Sequence, residues 1–245
     1  MVLCLAMLIP GIAVFAEGPE EISLGFPDPS EVTHHIDITD GSWYAEACRY
    51  AYWNGYMVGV SENEFFPHAI MTREMAVVTI IQSTCYEDFV VPEYSTSYFE
   101  DVEPGHWYSD YIQLAYENGL TAGIGNGKFG LGEAITREDF LVMLYSVVKS
   151  ASPSYWYQGI RYSQSDLEQA SSYAQEAFSC FKSRQYMDLS KDYDQTIWAP
   201  IPPVISGCPD GSYHLQDTLT RAEVAMFLYI YMYYPRHNYV KTQVK

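Results

Sequence analysis

Basic residues are scarce in this chain. Its 245 residues include 13 Lys and Arg against 31 Asp and Glu, which gives a formal net charge of -18. A surface with this excess of negative charge repels nucleic acid and anionic membranes, so an anionic ligand has to be captured by local arginines against the overall field. We therefore expect no nucleic-acid partner.

Apolar segments long enough to cross a membrane are also lacking at the N-terminus. The stretch from Val2 to Ala16 has 15 residues and is interrupted by Pro10, so it is too short to span a bilayer. Val14-Phe15-Ala16 supplies the small residues that a signal peptidase accepts, and we predict a secretory signal over 1–16 and a linker over 17–34. The absence of a preceding Lys or Arg leaves a mis-assigned start or a buried N-terminal helix as alternatives. After cleavage we expect no membrane insertion.

Cysteine is present five times, but never as Cys-x-x-Cys. Loss of Cys4 with the signal leaves four cysteines, which allow three disulfide pairings or four buried reduced thiols: Cys48, Cys85, Cys180 and Cys208. Without paired ligands at short spacing, we expect no zinc or other metal and no cofactor. No Ser, Cys or His constellation indicates catalysis, so we expect no enzyme. The alternative, a hydrolase of wall glycans, requires two positioned carboxylates flanking a cleft.

What the chain does contain is an internal repeat. The pair Thr-Arg opens an apolar helical run three times, at Thr72-Arg73, Thr136-Arg137 and Thr220-Arg221. We call the surrounding segments units 1, 2 and 3. Aligned on the arginines, all three units have a glycine 14 positions earlier (Gly59, Gly123, Gly207) and an aromatic residue 8 positions earlier (Phe65, Phe129, Tyr213). Units 1 and 2 also share a tryptophan 30 positions earlier (Trp43, Trp107) and an aspartate 36 positions earlier (Asp37, Asp101). A fixed internal period indicates stacked supersecondary units.

Unit 2 shows the pattern most clearly. Phe99 to Val102 forms a turn-rich lead-in, and the apolar spacing that follows predicts a helix that ends at Asn118-Gly119. Five glycines indicate a loop from Leu120 to Gly132, and a second helix is predicted to begin at Thr136. Each unit is therefore expected to be helix, glycine loop, helix.

Capping chemistry at the second helix differs among the units. Thr220 and Glu223 form a complete capping box, whereas Asp139 and Met75 occupy the glutamate position in units 2 and 1. We therefore expect the second helix of unit 1 to fray most easily.

Unit 3 looks degenerate in its first half. Tyr186 to Leu189 parallels the lead-in, but no tryptophan follows, and three prolines replace the end of the first helix: Pro200, Pro202 and Pro203. The spacing between arginines also grows from 64 to 84 residues, and Asp166 to Arg184 reads as an extra amphipathic helix. We expect that helix to be a packing element inserted on the surface.

Together the lead-in, the Trp-initiated helix, the glycine loop and Ile-Thr-Arg-Glu resemble the S-layer homology domain, in a set of three. The resemblance covers residues 35 to 234, with repeats over 35–97, 98–150 and 186–234, an inserted helix over 151–185 and a tail over 235–245. It implies an all-α, three-pronged assembly with pseudo-threefold symmetry. It also implies a secreted protein held at the cell surface by non-covalent binding of secondary cell wall polysaccharide.

In this family the glycan, commonly pyruvylated, is bound in grooves between repeats. The resemblance carries that role to eight residues: Arg73, Arg137, Arg221, Trp43, Trp107, Gly59, Gly123 and Gly207. A ketal carboxylate suits a guanidinium, which binds it with two parallel hydrogen bonds. Two alternatives stay open: the arginines pair only with carboxylates of neighbouring units, and the tryptophans serve partly as core. A scaffold without ligand would instead use the extra helix or the aromatic segment Tyr229 to Tyr234 for a protein partner or self-association.

Overall fold

The computed structural model describes residues 7–9, 12–14, 35–61, 63–84, 89–151, 164–182, 185–188, 198–201, 205 and 210–233. Its helices are α1 (Ala45–Trp53), α2 (Arg73–Thr84), α3 (Ser109–Glu117), α4 (Arg137–Ala151), α5 (Gln164–Leu167), α6 (Gln175–Lys182) and α7 (Arg221–Leu228), which continues as a π-helical turn over Tyr229–Tyr233. Two short antiparallel pairs complete the description: β1 (Met7–Ile9) with β2 (Ile12–Val14), and β3 (Gln185–Asp188) with β4 (Trp198–Ile201). The predicted all-α fold class is confirmed.

The predicted signal segment over 1–16 falls largely outside the described residues. Within it, β1 and β2 are strands, which does not support the alternative of an N-terminal helix. The signal itself stays a prediction. Among the described helices, none combines the length and the apolar character needed to cross a membrane.

The first helices of units 1 and 2 have matching ends. Asn54 and Asn118 follow α1 and α3, and each side-chain amide donates to a helix carbonyl at 2.8 Å. Gly55 and Gly119 come next with φ of +70° and +72°, the left-handed conformation that ends a helix and that glycine adopts without strain. The predicted stop at Asn118-Gly119 is confirmed.

An aspartate ties each lead-in to the glycine loop of the same unit. The carboxylate of Asp101 accepts the N–H groups of Phe129, Gly130 and Leu131 at 2.7, 2.8 and 3.0 Å. Asp37 accepts two such N–H groups in unit 1, those of Phe65 and Phe66 at 2.9 and 2.6 Å, because the third position is Pro67, which has no N–H. Because the loops lack regular structure, these carboxylates satisfy backbone donors that would otherwise need water.

A closed ring of backbone hydrogen bonds joins the three units at the residue before each Thr-Arg pair. The Met71 N–H donates to the Leu219 carbonyl at 2.8 Å, Leu219 donates to Ile135 at 3.0 Å, and Ile135 donates to Met71 at 2.9 Å. All three side chains are fully buried or nearly so. The second helices of the units therefore start from a common centre.

Helices of different units pack in a cyclic order around that centre. Helix α2 of unit 1 packs against α3 of unit 2, α4 of unit 2 packs against α6, and α7 of unit 3 packs against α1 of unit 1. The contacts enclose one hydrophobic core, whose largest fully buried side chains include Phe65, Phe129, Phe140, Phe178 and Phe181.

The prediction of one extra helix over Asp166 to Arg184 is wrong. The segment forms two helices, α5 and α6, because Ser171 between them turns both its backbone N–H and its hydroxyl to the Glu138 carboxylate, at 3.1 and 2.7 Å. Helix α6 is also not a surface addition, since Ala177, Phe178 and Phe181 are buried. It packs on α4 as α3 packs on α2, which is the position of a first helix.

The predicted lead-in of unit 3, Tyr186 to Leu189, needs the same correction. Gln185–Asp188 is strand β3, paired with a strand that contains Pro200. The contact made by a lead-in aspartate is instead made by Gln169, whose side-chain oxygen accepts the Tyr213 N–H at 3.1 Å. The first half of unit 3 thus precedes residue 183. Its first helix, which the prolines suggested would be short or distorted, is α6.

The caps and thiols complete the comparison. Thr220 and Glu223 form the predicted capping box, and the Thr136 hydroxyl accepts the Asp139 N–H at 3.2 Å. Cys48 and Cys180 are both buried, and they are not bonded to each other. Burial raises the pKa of the Cys48 thiol to about 12, which leaves it protonated and unreactive at neutral pH. Cys85 and Cys208 lie outside the described residues.

Candidate functional site

The arginines of the three Thr-Arg pairs all reach into the next unit of the ring. Arg73 of unit 1 donates from Nε to the carbonyl of Phe129 in unit 2 at 3.1 Å and from Nη1 to Asp139 Oδ2 at 2.7 Å. Its guanidinium carbon lies 5.4 Å from the centroid of the Phe129 ring. Only 5% of the Arg73 side chain is exposed, so its positive charge is paired within the protein.

Arg137 repeats the arrangement one unit further. Its Nη1 donates to the carbonyl of Tyr213 in unit 3 at 3.1 Å, and its Nη2 forms an ion pair with Glu223. The side chain is 16% exposed, about three times the exposed fraction of Arg73. Its Nε is buried and has no hydrogen-bond partner in the part of the chain that the structure describes.

Arg221 closes the cycle through backbone carbonyls, with no carboxylate partner among the residues that the structure describes. Its Nε donates to the carbonyl of Phe65 in unit 1 at 2.9 Å, and its Nη2 donates to the Val58 carbonyl. The guanidinium carbon lies 4.6 Å from the Phe65 ring centroid. Burial lowers the pKa of Arg221, although the group stays charged at neutral pH.

The two tryptophans differ from the arginines in being open to solvent. Trp43 is 59% exposed and Trp107 is 58% exposed, and each directly precedes the N-cap tyrosine of its helix. The alternative that they are core residues is therefore not favoured by their positions. Among the described ring contacts, each indole meets only that tyrosine, in a T-shaped arrangement with centroids 5.4 and 5.3 Å apart.

Trp107 also lines a cavity of about 330 Å³. The other lining residues are Glu93, Tyr94, Gly105, His106 and Asp110, and none of the three arginines is among them. Two carboxylates beside an indole suit the hydroxyl groups and the apolar face of a neutral sugar better than an acidic group. The structure therefore does not bring Trp107 and an arginine together in one described cavity.

The loop glycines have steric roles that differ between units. Gly123 has φ of +75°, and a Cβ there would collide with the Lys128 carbonyl and come within 2.6 Å of the Phe99 ring. At Gly59 a Cβ would come within 2.7 Å of the Ser61 carbonyl oxygen and 2.8 Å of His35 Nε2. Both positions require glycine for packing within the protein, and Gly207 lies outside the described residues.

Several functional contacts were missed by the reading of the sequence. Asp139 and Glu223 were interpreted as capping residues, yet both also bind the arginine of the preceding unit. Glu138 is 1% exposed and accepts hydrogen bonds from Ser171 and from the Tyr173 hydroxyl. Burial alone would raise the pKa of Glu138, but these hydrogen bonds hold it below its usual value. The signal was present in the sequence, because these carboxylates stand one or two residues after the arginine of a Thr-Arg pair.

Comparison with known proteins shows which family the central part of the chain resembles. Residues 98–141 match the family model of the S-layer homology domain. Over 126 residues, or 51% of this chain, the sequence is 32% identical to a cell surface protein of Thermoanaerobacter kivui. The chain matches only 16% of that protein's length.

Proposed function

From the premise that the chain carries an S-layer homology domain at residues 98–141, we propose that it is a non-catalytic module acting at a bacterial cell surface. It attaches without a covalent bond to secondary cell wall polysaccharide, an anionic and pyruvylated glycan, in grooves between three repeats. The similarity to a cell surface protein supports this location. The chain reaches the wall by secretion.

The observation that carries the proposal is the exposure of Trp43 and Trp107 at the same position of two units. Large aromatic side chains bury 150–250 Å² when they pack, so leaving more than half of an indole in solvent at two equivalent positions needs a reason. An indole face can cover the apolar face of a sugar ring. Exposure in register therefore supports a ligand with repeating sugar units.

Arg137 is the arginine best suited to the acidic group of such a glycan. Five N–H hydrogens are available on a guanidinium, and Glu223 and the Tyr213 carbonyl take two of those of Arg137. Hydrogen bonds to charged groups contribute about 1.5–3 kcal/mol. Arg73 and Arg221 are more deeply buried, and we assign them a mainly structural role.

Co-sedimentation with purified cell wall tests the proposal. The chain should bind wall that retains its secondary polysaccharide and lose binding after chemical removal of that polymer. Trp107→Ala should weaken binding several-fold, whereas Trp53→Ala, which removes a 46% exposed tryptophan at the far end of α1, should not. Equal binding by Trp107→Ala and the unmodified chain would count against the groove.

The role of Arg137 can be separated from its ion pair. Glu223→Gln removes the partner charge and leaves the guanidinium, so it should preserve or strengthen binding to the anionic polymer. Arg137→Ala should weaken binding at a temperature where both variants are folded. If both changes reduce binding in proportion to their loss of thermal stability, Arg137 has only a structural role.

A scaffold without ligand is the second candidate, and the inter-unit ion pairs favour it. Arg73 with Asp139 and Arg137 with Glu223 fasten neighbouring units, which is all a scaffold needs from them. Light scattering that shows a stable oligomer, together with no binding to intact wall, would select this function.

A further inference from the structure

We propose that Tyr173 is the third aromatic sugar-contacting residue of the ring, equivalent to Trp43 and Trp107, and that it takes an uncharged sugar. This inference rests on the proposed function. It gives a ligand contact to the unit whose first half looked degenerate in sequence.

The equivalence follows from the position of Tyr173 in the chain. Trp43 and Trp107 stand immediately before Tyr44 and Tyr108, whose carbonyls accept the N–H four residues later in α1 and α3 at 2.9 Å. Tyr173 stands immediately before Ala174, whose carbonyl accepts the Phe178 N–H of α6 at 2.9 Å. All three rings therefore mark the start of a helix packed against the preceding unit.

The lead-in to each helix supports the same correspondence. The N–H of Val102 donates to the Phe99 carbonyl at 3.3 Å, and the N–H of Ala170 donates to the Leu167 carbonyl at 3.1 Å. Gln169 takes the place of Asp101 in holding the aromatic residue of its own glycine loop. From Asp101 to Tyr108 the chain advances seven residues, and from Gln169 to Ala174 it advances five, which is why sequence alignment did not reveal the match.

The exposed fraction of the residue is also the same. Tyr173 is 59% exposed, against 59% for Trp43 and 58% for Trp107. Its hydroxyl donates to Glu138 Oε1 and lies 2.8 Å from Asp139 Oδ1, so the side chain is anchored through its hydroxyl while more than half of the residue stays exposed. Burial, and then these two carboxylates, raise the pKa of the hydroxyl, which keeps it protonated and bound.

The surroundings determine which sugar can bind. Two carboxylates lie within hydrogen-bonding distance of the Tyr173 hydroxyl, and one arginine, Arg73, offsets a single charge of the pair. The remaining negative charge repels a ligand carboxylate and favours hydroxyl hydrogens as donors. The ring of Tyr173 thus meets a neutral part of the polymer, while acidic groups are bound elsewhere.

Wall co-sedimentation of the full chain with three variants tests the inference. Tyr173→Ala should weaken binding by about three- to tenfold. Tyr173→Phe should lower the melting temperature, because the hydroxyl contacts are lost, yet retain most of the binding. Tyr173→Trp should bind at least as well as the unmodified chain. Removal of the acidic ketal groups from the polymer should leave the ratio of the two affinities, that of Tyr173→Ala and that of the unmodified chain, unchanged.

Each outcome has a distinct meaning. Loss of binding in Trp107→Ala but not in Tyr173→Ala would overturn this inference and leave the proposed function intact. Equal losses of binding in Tyr173→Phe and Tyr173→Ala would show that the residue is structural only. If the affinity difference between Tyr173→Ala and the unmodified chain disappears once the acidic groups are removed, the assignment to a neutral sugar is overturned. No wall binding by the unmodified chain would overturn both proposals.

Discussion

Single carboxylates determine how the glycine loops are held. Asp101 lies at the lead-in of unit 2 and accepts three consecutive backbone N–H groups from its loop. Partial burial alone would raise the pKa of Asp101, but those three hydrogen bonds outweigh it and hold the pKa below its usual value. The charged form is therefore bound more tightly in the folded protein than in the unfolded chain.

This shift predicts how Asp101→Asn will behave. A carboxylate whose pKa is lower in the folded protein contributes its full stabilisation of the fold above its unfolded pKa of about 3.9. That contribution is lost as the pH falls through the folded pKa. The substitution should lower the free energy of unfolding by about 2 kcal/mol at pH 7 and flatten the loss of stability below pH 4. Melting temperatures from pH 2.5 to 6 measure both effects. Glu100→Gln, at the exposed neighbouring residue, should leave the curve unchanged, and an unaltered acid slope in Asp101→Asn would contradict the assignment.

Two loop glycines offer a matched comparison of backbone strain and contact. Gly123 and Gly125 have φ of +75° and +94°, but only at Gly123 would a Cβ meet other atoms. Alanine at Gly125 should cost about 1–2 kcal/mol for the left-handed conformation alone. Alanine at Gly123 should cost roughly 3 kcal/mol or more, because the Lys128 carbonyl and the Phe99 ring must also move. Urea unfolding of both variants measures the difference, and equal losses would show that the contact is relieved easily.

At the scale of elements, the second helices of the three units begin in three different ways. Helix α7 has a full capping box, and α4 has a capping hydroxyl whose potential partner, Asp139, binds Arg73 instead. Before α2, the Thr72 hydroxyl is buried without a partner among the described residues. Met75 also stands where Arg221 would otherwise find a carboxylate, as Arg73 and Arg137 do.

Met75→Glu should therefore stabilise the protein. The new carboxylate can accept the Thr72 N–H as Glu223 accepts that of Thr220, and it can pair with Arg221 across the junction with unit 3. We expect a gain of about 1–2 kcal/mol, measured by thermal or urea unfolding. Met75→Gln should recover the cap without the ion pair and gain less. A loss of stability in Met75→Glu would mean that burial of the charge outweighs both contacts.

The elements of units 1 and 2 were predictable because local chemistry decides them. Glycines with positive φ end the first helices, Thr136 begins the fourth, and an aspartate precedes each loop by a constant spacing. Unit 3 was misread because Gln169 and Tyr173 replace the aspartate and the tryptophan, and the lead-in is two residues shorter. In unit 3, Gln169 still accepts a loop N–H and Tyr173 is still an exposed aromatic residue, although the residue types differ from those of units 1 and 2.

The candidate site was predictable only in its residue types. Trp43 and Trp107 are exposed in register, but no local pattern indicates that Arg73 and Arg221 donate to carbonyls 56 and 156 residues away. Such partners depend on how the units meet. The same applies to the cavity at Trp107, whose wall comes partly from the segment before the lead-in, at Glu93 and Tyr94.

For the whole molecule, the packing of α7 on α1 joins the first and last units. Many of the stabilising contacts therefore join distant parts of the sequence, and loop closure opposes their formation early in folding. We expect one cooperative thermal transition, with equal calorimetric and van't Hoff enthalpies, and slow refolding. Deletion of residues 205–245 should unfold unit 1 as well, which circular dichroism would detect. Independent melting of unit 1 would contradict this coupling.

The ring of Met71, Ile135 and Leu219 sets a limit on how the sequence can evolve. A solenoid grows by adding units at either end, because each unit contacts only its neighbours. Here each of the three backbone N–H groups already has its carbonyl, so a fourth unit has no position in the ring. Longer proteins built from this architecture would have to add whole rings or unrelated domains. By the same geometry, a circular permutant opened between two units and joined through the original termini by a sufficiently long linker would restore the same ring.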